Sequence, residues 1–125
     1  MIYSSLFVGD VYRSMGIELP RDADQQAKSM ANVIDLSGMG EADRLAALES
    51  CVPGTLLANN THVMMYLGQD DAGTPIVLQS MSSWFSFGSD YGKHYLRKVI
   101  ASTATFLNFS GVPYIDGVHY LGSLR

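Results

Sequence analysis

Thr61-His62-Val63-Met64-Met65-Tyr66-Leu67-Gly68 is an apolar run that a histidine opens and a glycine closes. Turn-forming residues flank it, Asn59-Asn60 before and Gln69-Asp70-Asp71 after, so the run predicts a β-strand. Side chains alternate across a strand, which puts His62, Met64 and Tyr66 on one face and Val63, Met65 and Leu67 on the other. With both faces apolar, the strand is expected to be covered on both sides. His62 then stands at the entrance of a rigid element, near the surface. A histidine there is either a satisfied polar group at the border of a core or a general base, and residues elsewhere in the chain must distinguish the two.

The 125 residues suit one domain, 1–125, with a single core that folds without staples. Hydrophobic residues make up 47% and charged residues 16%, with a formal net charge of -4. These values predict a soluble, mildly acidic protein. Lys and Arg total 8 and are scattered, which argues against a nucleic-acid partner. Cys51 is the sole cysteine, so an internal disulfide and a Cys-rich metal site are excluded. His94 and His119 lack ligand spacing, and neither a metal nor a cofactor is expected. No apolar run reaches the roughly 18 residues of a membrane span, and no signal peptide is recognised. The start is abrupt, as if an upstream portion preceded it.

From the N-terminus, Phe7, Val8, Val11, Tyr12 and Met15 share one helical face, with Asp10, Arg13 and Ser14 opposite. Ser4 or Ser5 is the expected N-cap and Gly16 the stop. Asp22 and Gln25 resemble a capping box for a short helix from about Ala23 to Met30. After a Ser37–Gly40 loop, a third helix is expected over Glu41–Glu49, with Leu45 and Leu48 inward and Glu41, Asp43 and Arg44 in water. Strands follow at Thr55–Ala58, His62–Leu67 and Pro75–Ser80. The stretch Ser82–Gly92, with Trp84, Phe85, Phe87 and Tyr91, predicts a loop. A β-prone run covers Tyr95–Phe106, and the tail suggests a short strand or an extended wrap. Helices first and hairpin-linked strands afterwards predict an α+β fold, N-terminal helices packed on a central antiparallel sheet.

In a meander of the first three strands, Gln79 comes beside His62, where a side-chain amide can fix the imidazole tautomer; the bland alternative is an exposed strand glutamine. The nucleophile candidate is Ser4, at a helix head where unpaired amides favour a negative atom. Its alternative is a simple helix cap. Cys51, between a helix end and Pro53, is expected to be a buried structural thiol. The aromatics around Trp84 suit either a sugar- or peptide-binding wall or a plug at a core edge.

The ordered set Ser4-Ser5-Leu6-Phe7-Val8-Gly9-Asp10-Val11-Tyr12-Arg13, Gly16-Ile17-Glu18-Leu19-Pro20-Arg21-Asp22, Gln25-Gln26 and His62 to Gly68 resembles the NlpC-type cell-wall cysteine peptidases. The likeness spans roughly Tyr3 to Ile100 and is nearest the branch with SH3-like accessory domains. It implies a papain-like fold and a cysteine-endopeptidase mechanism. The implied substrate is a peptidoglycan stem peptide or muropeptide, cleaved at a γ-D-glutamyl-diamino acid amide, with no cofactor. It also implies a secreted or periplasmic location and an accessory cell-wall-binding domain in the parent protein.

Carried over by residue, Ser4 stands at the nucleophilic cysteine, His62 at the base and Gln79 at the third polar position. Ser5 matches the serine after the nucleophile, and Asp22 a position that holds a free amine unless it only caps a helix; with Trp84 of the aromatic wall, these are the substrate-binding candidates. Tyr3 stands where the family has aspartate, Ala23 where it often has serine, and an upstream tyrosine-bearing segment is lacking. Counting back from Gly16 selects Ser4 as the nucleophile position, whereas aligning Ser4-Ser5-Leu6 on a Cys-Ser-Ser-Leu variant selects Tyr3. Two accounts of Ser4 stand side by side: a replaced cysteine in an enzyme, or a non-catalytic pseudoenzyme or structural module that keeps the fold.

Overall fold

The computed structural model describes residues 2–59, 62–86, 92–106 and 111–124; within these, the side chains of 2–6 and 81–98 lie outside the description. Helix α1 spans Ile2–Ser14, α2 Ala23–Lys28 and α3 Glu41–Glu49. The strands are β1 Asn32–Asp35, β2 Leu56–Ala58, β3 Val63–Gln69, β4 Pro75–Ser86, β5 Gly92–Thr103 and β6 Tyr120–Ser123, with a 3-10 helix at Tyr114–Gly117. They form one antiparallel sheet in the order β1-β6-β2-β3-β4-β5. An α+β architecture with helices on an antiparallel sheet is therefore what the chain adopts.

β3 lies inside the sheet, and Val63, Met64, Met65 and Tyr66 are all buried. Val63 and Met65 join Leu56 and Ala58 of β2 against Val8 and Tyr12 of α1 and Ala23 and Ala27 of α2. Met64 and Tyr66 join Leu57, Val77 and Leu121 against Leu48 of α3 and Ile115 of the 3-10 helix. Each face of the sheet thus has its own apolar layer, as the two-sided run requires. Leu67, expected to be inward, is 43% exposed. The β3–β4 register shifts between Tyr66 and Gly68, so Leu67 is the extra residue of a bulge and the alternation breaks there. Gly68 takes φ +111 and carries the strand on to Gln69 instead of ending it.

Several local expectations are corrected. α1 starts at Ile2, so Ser4 and Ser5 lie within its first turn and neither is the N-cap. Gly16, at φ +80, ends the helix as expected: its N–H donates to the Arg13 carbonyl at 2.9 Å, and the N–H of Ile17 donates to that of Tyr12 at 3.0 Å. Met15 is 59% exposed because it lies beyond the last helical residue. Asp22 is at the N-cap of α2 but makes no side-chain capping bond, so there is no capping box, and α2 ends at Lys28.

Arg44, expected in water, is buried. Its Nε donates to the Met39 carbonyl at 2.8 Å and its Nη1 donates to the carbonyls of Ile115, at 3.1 Å, and Val118. It therefore ties α3 to the 3-10 helix. Cys51 is half-buried, its Sγ 3.3 Å from the Ala47 carbonyl. Of the stretch expected as a loop, Ser82–Ser86 continue β4 and Gly92 begins β5; residues 87–91 lie outside the described residues. β1 was not anticipated, and the tail holds both the 3-10 helix and β6, which lies between β1 and β2. Among the described residues, no helix is long and apolar enough to cross a membrane.

Candidate functional site

His62 immediately precedes β3, where the turn from β2 fixes its backbone. The Asn59 N–H donates to the His62 carbonyl at 3.0 Å, and the His62 N–H donates to Asn59 Oδ1 at 2.9 Å. An asparagine at the start of a turn commonly folds its side chain back onto the backbone in this way. The imidazole orientation is therefore set from the main chain outward.

Leu78 pairs with Met65, and continuing that antiparallel register puts Gln79 across from Met64. Gln79 and His62 are thus diagonal neighbours on one face, within reach of a long side chain. His62 Nε2 and Gln79 Oε1 are 2.8 Å apart. Gln79 is fully buried, and its other end donates from Nε2 to Ser102 Oγ of β5 at 2.9 Å. A buried amide has to satisfy both its ends, and Gln79 does so by bridging His62, at the entrance of β3, and Ser102 of β5.

A second contact holds the ring. Tyr114, at the start of the 3-10 helix, meets the imidazole edge to face with ring centroids 5.5 Å apart. Phe106 stacks on Tyr114, with ring centroids 4.9 Å apart and the planes at 15°. The Asn59 amide donates to the Tyr114 hydroxyl at 3.3 Å, so one asparagine contacts both the histidine and its aromatic neighbour.

Burial pushes the His62 pKa below its ordinary value of 6.5, and the bond to Gln79 acts in the opposite sense. At neutral pH the ring is therefore uncharged. A neutral imidazole with one nitrogen bonded to a carbonyl oxygen has a single basic nitrogen left, and it can accept a proton.

The other sequence candidates are distributed as follows. Ser4 and Ser5 belong to the first turn of α1, where backbone amides have no partner within the helix; their side chains lie outside the description. α1 packs on β3 and β4, the strands that follow His62 and carry Gln79. Val8, one turn after Ser4, shares a core cluster with Val63, on the face of β3 opposite the one that His62 shares with Met64 and Gln79. Asp22 is exposed at the head of α2. The Trp84 backbone pairs with His94 in the β4–β5 ladder, while its side chain lies outside the description. Phe87 and Tyr91 lie outside the described residues altogether. Among the described residues, no group of three or more His, Cys, Asp and Glu could hold a metal ion.

Asn59, Ser102 and Tyr114 were not singled out from the sequence. Asn59 carried a signal, since it lies three residues before His62 in a turn. Ser102 and Tyr114 carried none, because their approach depends on the β4–β5 register and on the return of the tail. No family model matches the chain, and no curated protein matches it.

Proposed function

We propose that the chain is a papain-like domain built to hydrolyse an amide of a peptidoglycan stem peptide, with His62 as the base. The observation that carries this is the 2.8 Å bond from a neutral, half-buried His62 to a fully buried Gln79. A surface histidine has no need of so elaborate a support; a general base does, because its tautomer and aim decide its reactivity. Ser4, in the first turn of the helix that packs on β3 and β4, supplies the second part. Amides there favour developing negative charge. α1 covers the Val63 and Met65 face while His62 shares the other face with Met64 and Gln79, so the attack needs position 4 to meet the imidazole at the entrance of β3.

In the mechanism, the attacking atom at position 4 loses its proton to His62 as it bonds to the substrate carbonyl carbon. His62 then returns that proton to the leaving amine, and water repeats the cycle on the acyl intermediate. Gln79 holds the ring through both transfers. A serine needs its proton removed in full, whereas a thiol at a helix head is partly ionised beforehand, so the chain's own Ser4 is the weaker nucleophile. Asp22, exposed at the head of α2, suits the free ammonium of the stem peptide, and Ser5 and Trp84 complete the proposed substrate contacts.

The test uses the Ser4→Cys variant with a muropeptide carrying a γ-D-glutamyl-diamino acid bond. Mass spectrometry should detect an acyl-enzyme whose formation is lost in the Ser4→Cys/His62→Ala double variant. The serine itself favours a second reading, a pseudoenzyme that binds stem peptide and leaves it whole. Binding without cleavage by both the natural chain and Ser4→Cys would establish that alternative. The proposed setting is the cell envelope, outside the cytoplasmic membrane.

A further inference from the structure

The Gln79 amide has two ends of similar shape and opposite polarity, and only one orientation presents an acceptor to His62. A chain of hydrogen bonds selects it. The Thr103 backbone carbonyl can only accept, and it takes the Ser102 hydroxyl proton at 3.3 Å. With its proton directed there, Ser102 Oγ faces Gln79 as an acceptor and takes the Nε2 donor at 2.9 Å. Gln79 Oε1 is thereby turned to His62 Nε2 at 2.8 Å. Nε2 must then carry the ring proton, and Nδ1 keeps the lone pair.

We infer that Ser102 is a positioning residue that sets the polarity of the Gln79 amide and, through it, the Nε2–H tautomer of His62, leaving Nδ1 as the basic nitrogen. The role of Nδ1 in proton transfer rests on the hydrolase proposed above; the tautomer does not. Among the described residues Ser102 bonds to Gln79 and to the Thr103 carbonyl, not to the imidazole. Its effect passes through Gln79, a fully buried side chain whose donor end Ser102 holds. In Ser102→Ala the donor end of Gln79 loses its acceptor, and the reversed amide, with NH2 toward the ring, becomes competitive. That reversal favours the Nδ1–H tautomer, in which the basic nitrogen is already bonded.

Long-range proton–nitrogen correlation spectra of imidazole-labelled protein at pH 8 report the tautomer directly. The natural chain should show His62 as Nε2–H. Ser102→Ala should shift the tautomer ratio toward Nδ1–H by about fivefold, the weight of one net hydrogen bond. Ser102→Thr, which keeps the hydroxyl on a strand that accepts β-branched residues, should restore the natural pattern. An unchanged ratio in Ser102→Ala overturns the inference, and so does an Nδ1–H ring in the natural chain. A shift in the expected direction, combined with no acyl-enzyme from Ser4→Cys, would leave Ser102's role standing and remove only the hydrolase.

Discussion

At the scale of single residues, the burial that keeps His62 neutral also links its protonation to stability. Its folded pKa lies below the ordinary 6.5, so between those two values the unfolded chain binds a proton that the folded chain does not. Stability should therefore be independent of His62 above about pH 6.5, fall as pH drops through that window, and level off below the folded pKa. Urea titrations across pH 5–8 should show this slope, and His62→Gln should flatten it. The Gln79 bond favours the protonated ring, so Gln79→Ala should lower the His62 midpoint further, measurable by proton NMR. The pairing of these two residues was legible because one opens a buried run and the other sits at matching depth in the next strand. Ser102, Asn59 and Tyr114 were less so. A hydroxyl on an edge strand is unremarkable until the register is known, and Tyr114 reaches the ring across more than fifty residues of chain.

Between elements, two contacts bear measurable weight. Gly122 of β6 lies directly under α2, and a Cβ there would fall inside the Ala27 backbone carbonyl. Backbone cannot rotate away as a side chain can, so Gly122→Ala should destabilise by about 1–3 kcal/mol, read as a lower urea midpoint. Arg44→Ala strips donors from the carbonyls of Met39, Ile115 and Val118 and should cost about 2–3 kcal/mol. It should also loosen Tyr114 against His62, visible as a change in the ring's chemical shifts. The burial of Arg44 is masked by its charge: it lies one turn before buried Leu48, on the side of α3 that meets the 3-10 helix, while Glu41 and Asp43 stay exposed. The aromatic- and serine-rich end of β4 reads as a loop because of its serines and the glycines that follow at 88 and 92. Its strand character comes from pairing with β5, a tertiary gain that local propensity does not register. β1 escaped notice for a similar reason: Asn32 and Asp35 bracket only two apolar residues, and its pairing partner, β6, lies near the other end of the chain.

For the molecule as a whole, the sheet closes by placing a late strand between two earlier ones. β6 bridges β1 and β2 and contacts α2, so a chain truncated before Tyr120 should leave β1 without a partner. Such a chain should lose its cooperative thermal transition, seen by circular dichroism. The same closure returns Tyr114 to the entrance of β3, so the site is complete only when the sheet is. Helices cover both faces of one antiparallel sheet, the α+β outline that the chain's order of elements predicts, and the two-sided burial of β3 is what the opening run encodes. The central claim is that His62 activates an atom carried in the first turn of α1. Its most direct test is the alkylation rate of the Ser4→Cys variant with iodoacetamide at pH 7, with and without His62→Ala. The account predicts a reaction at least ~10-fold faster when His62 is present, since a neighbouring imidazole raises the thiolate fraction. Equal rates in the two variants would show that position 4 and His62 do not act together, and would contradict it.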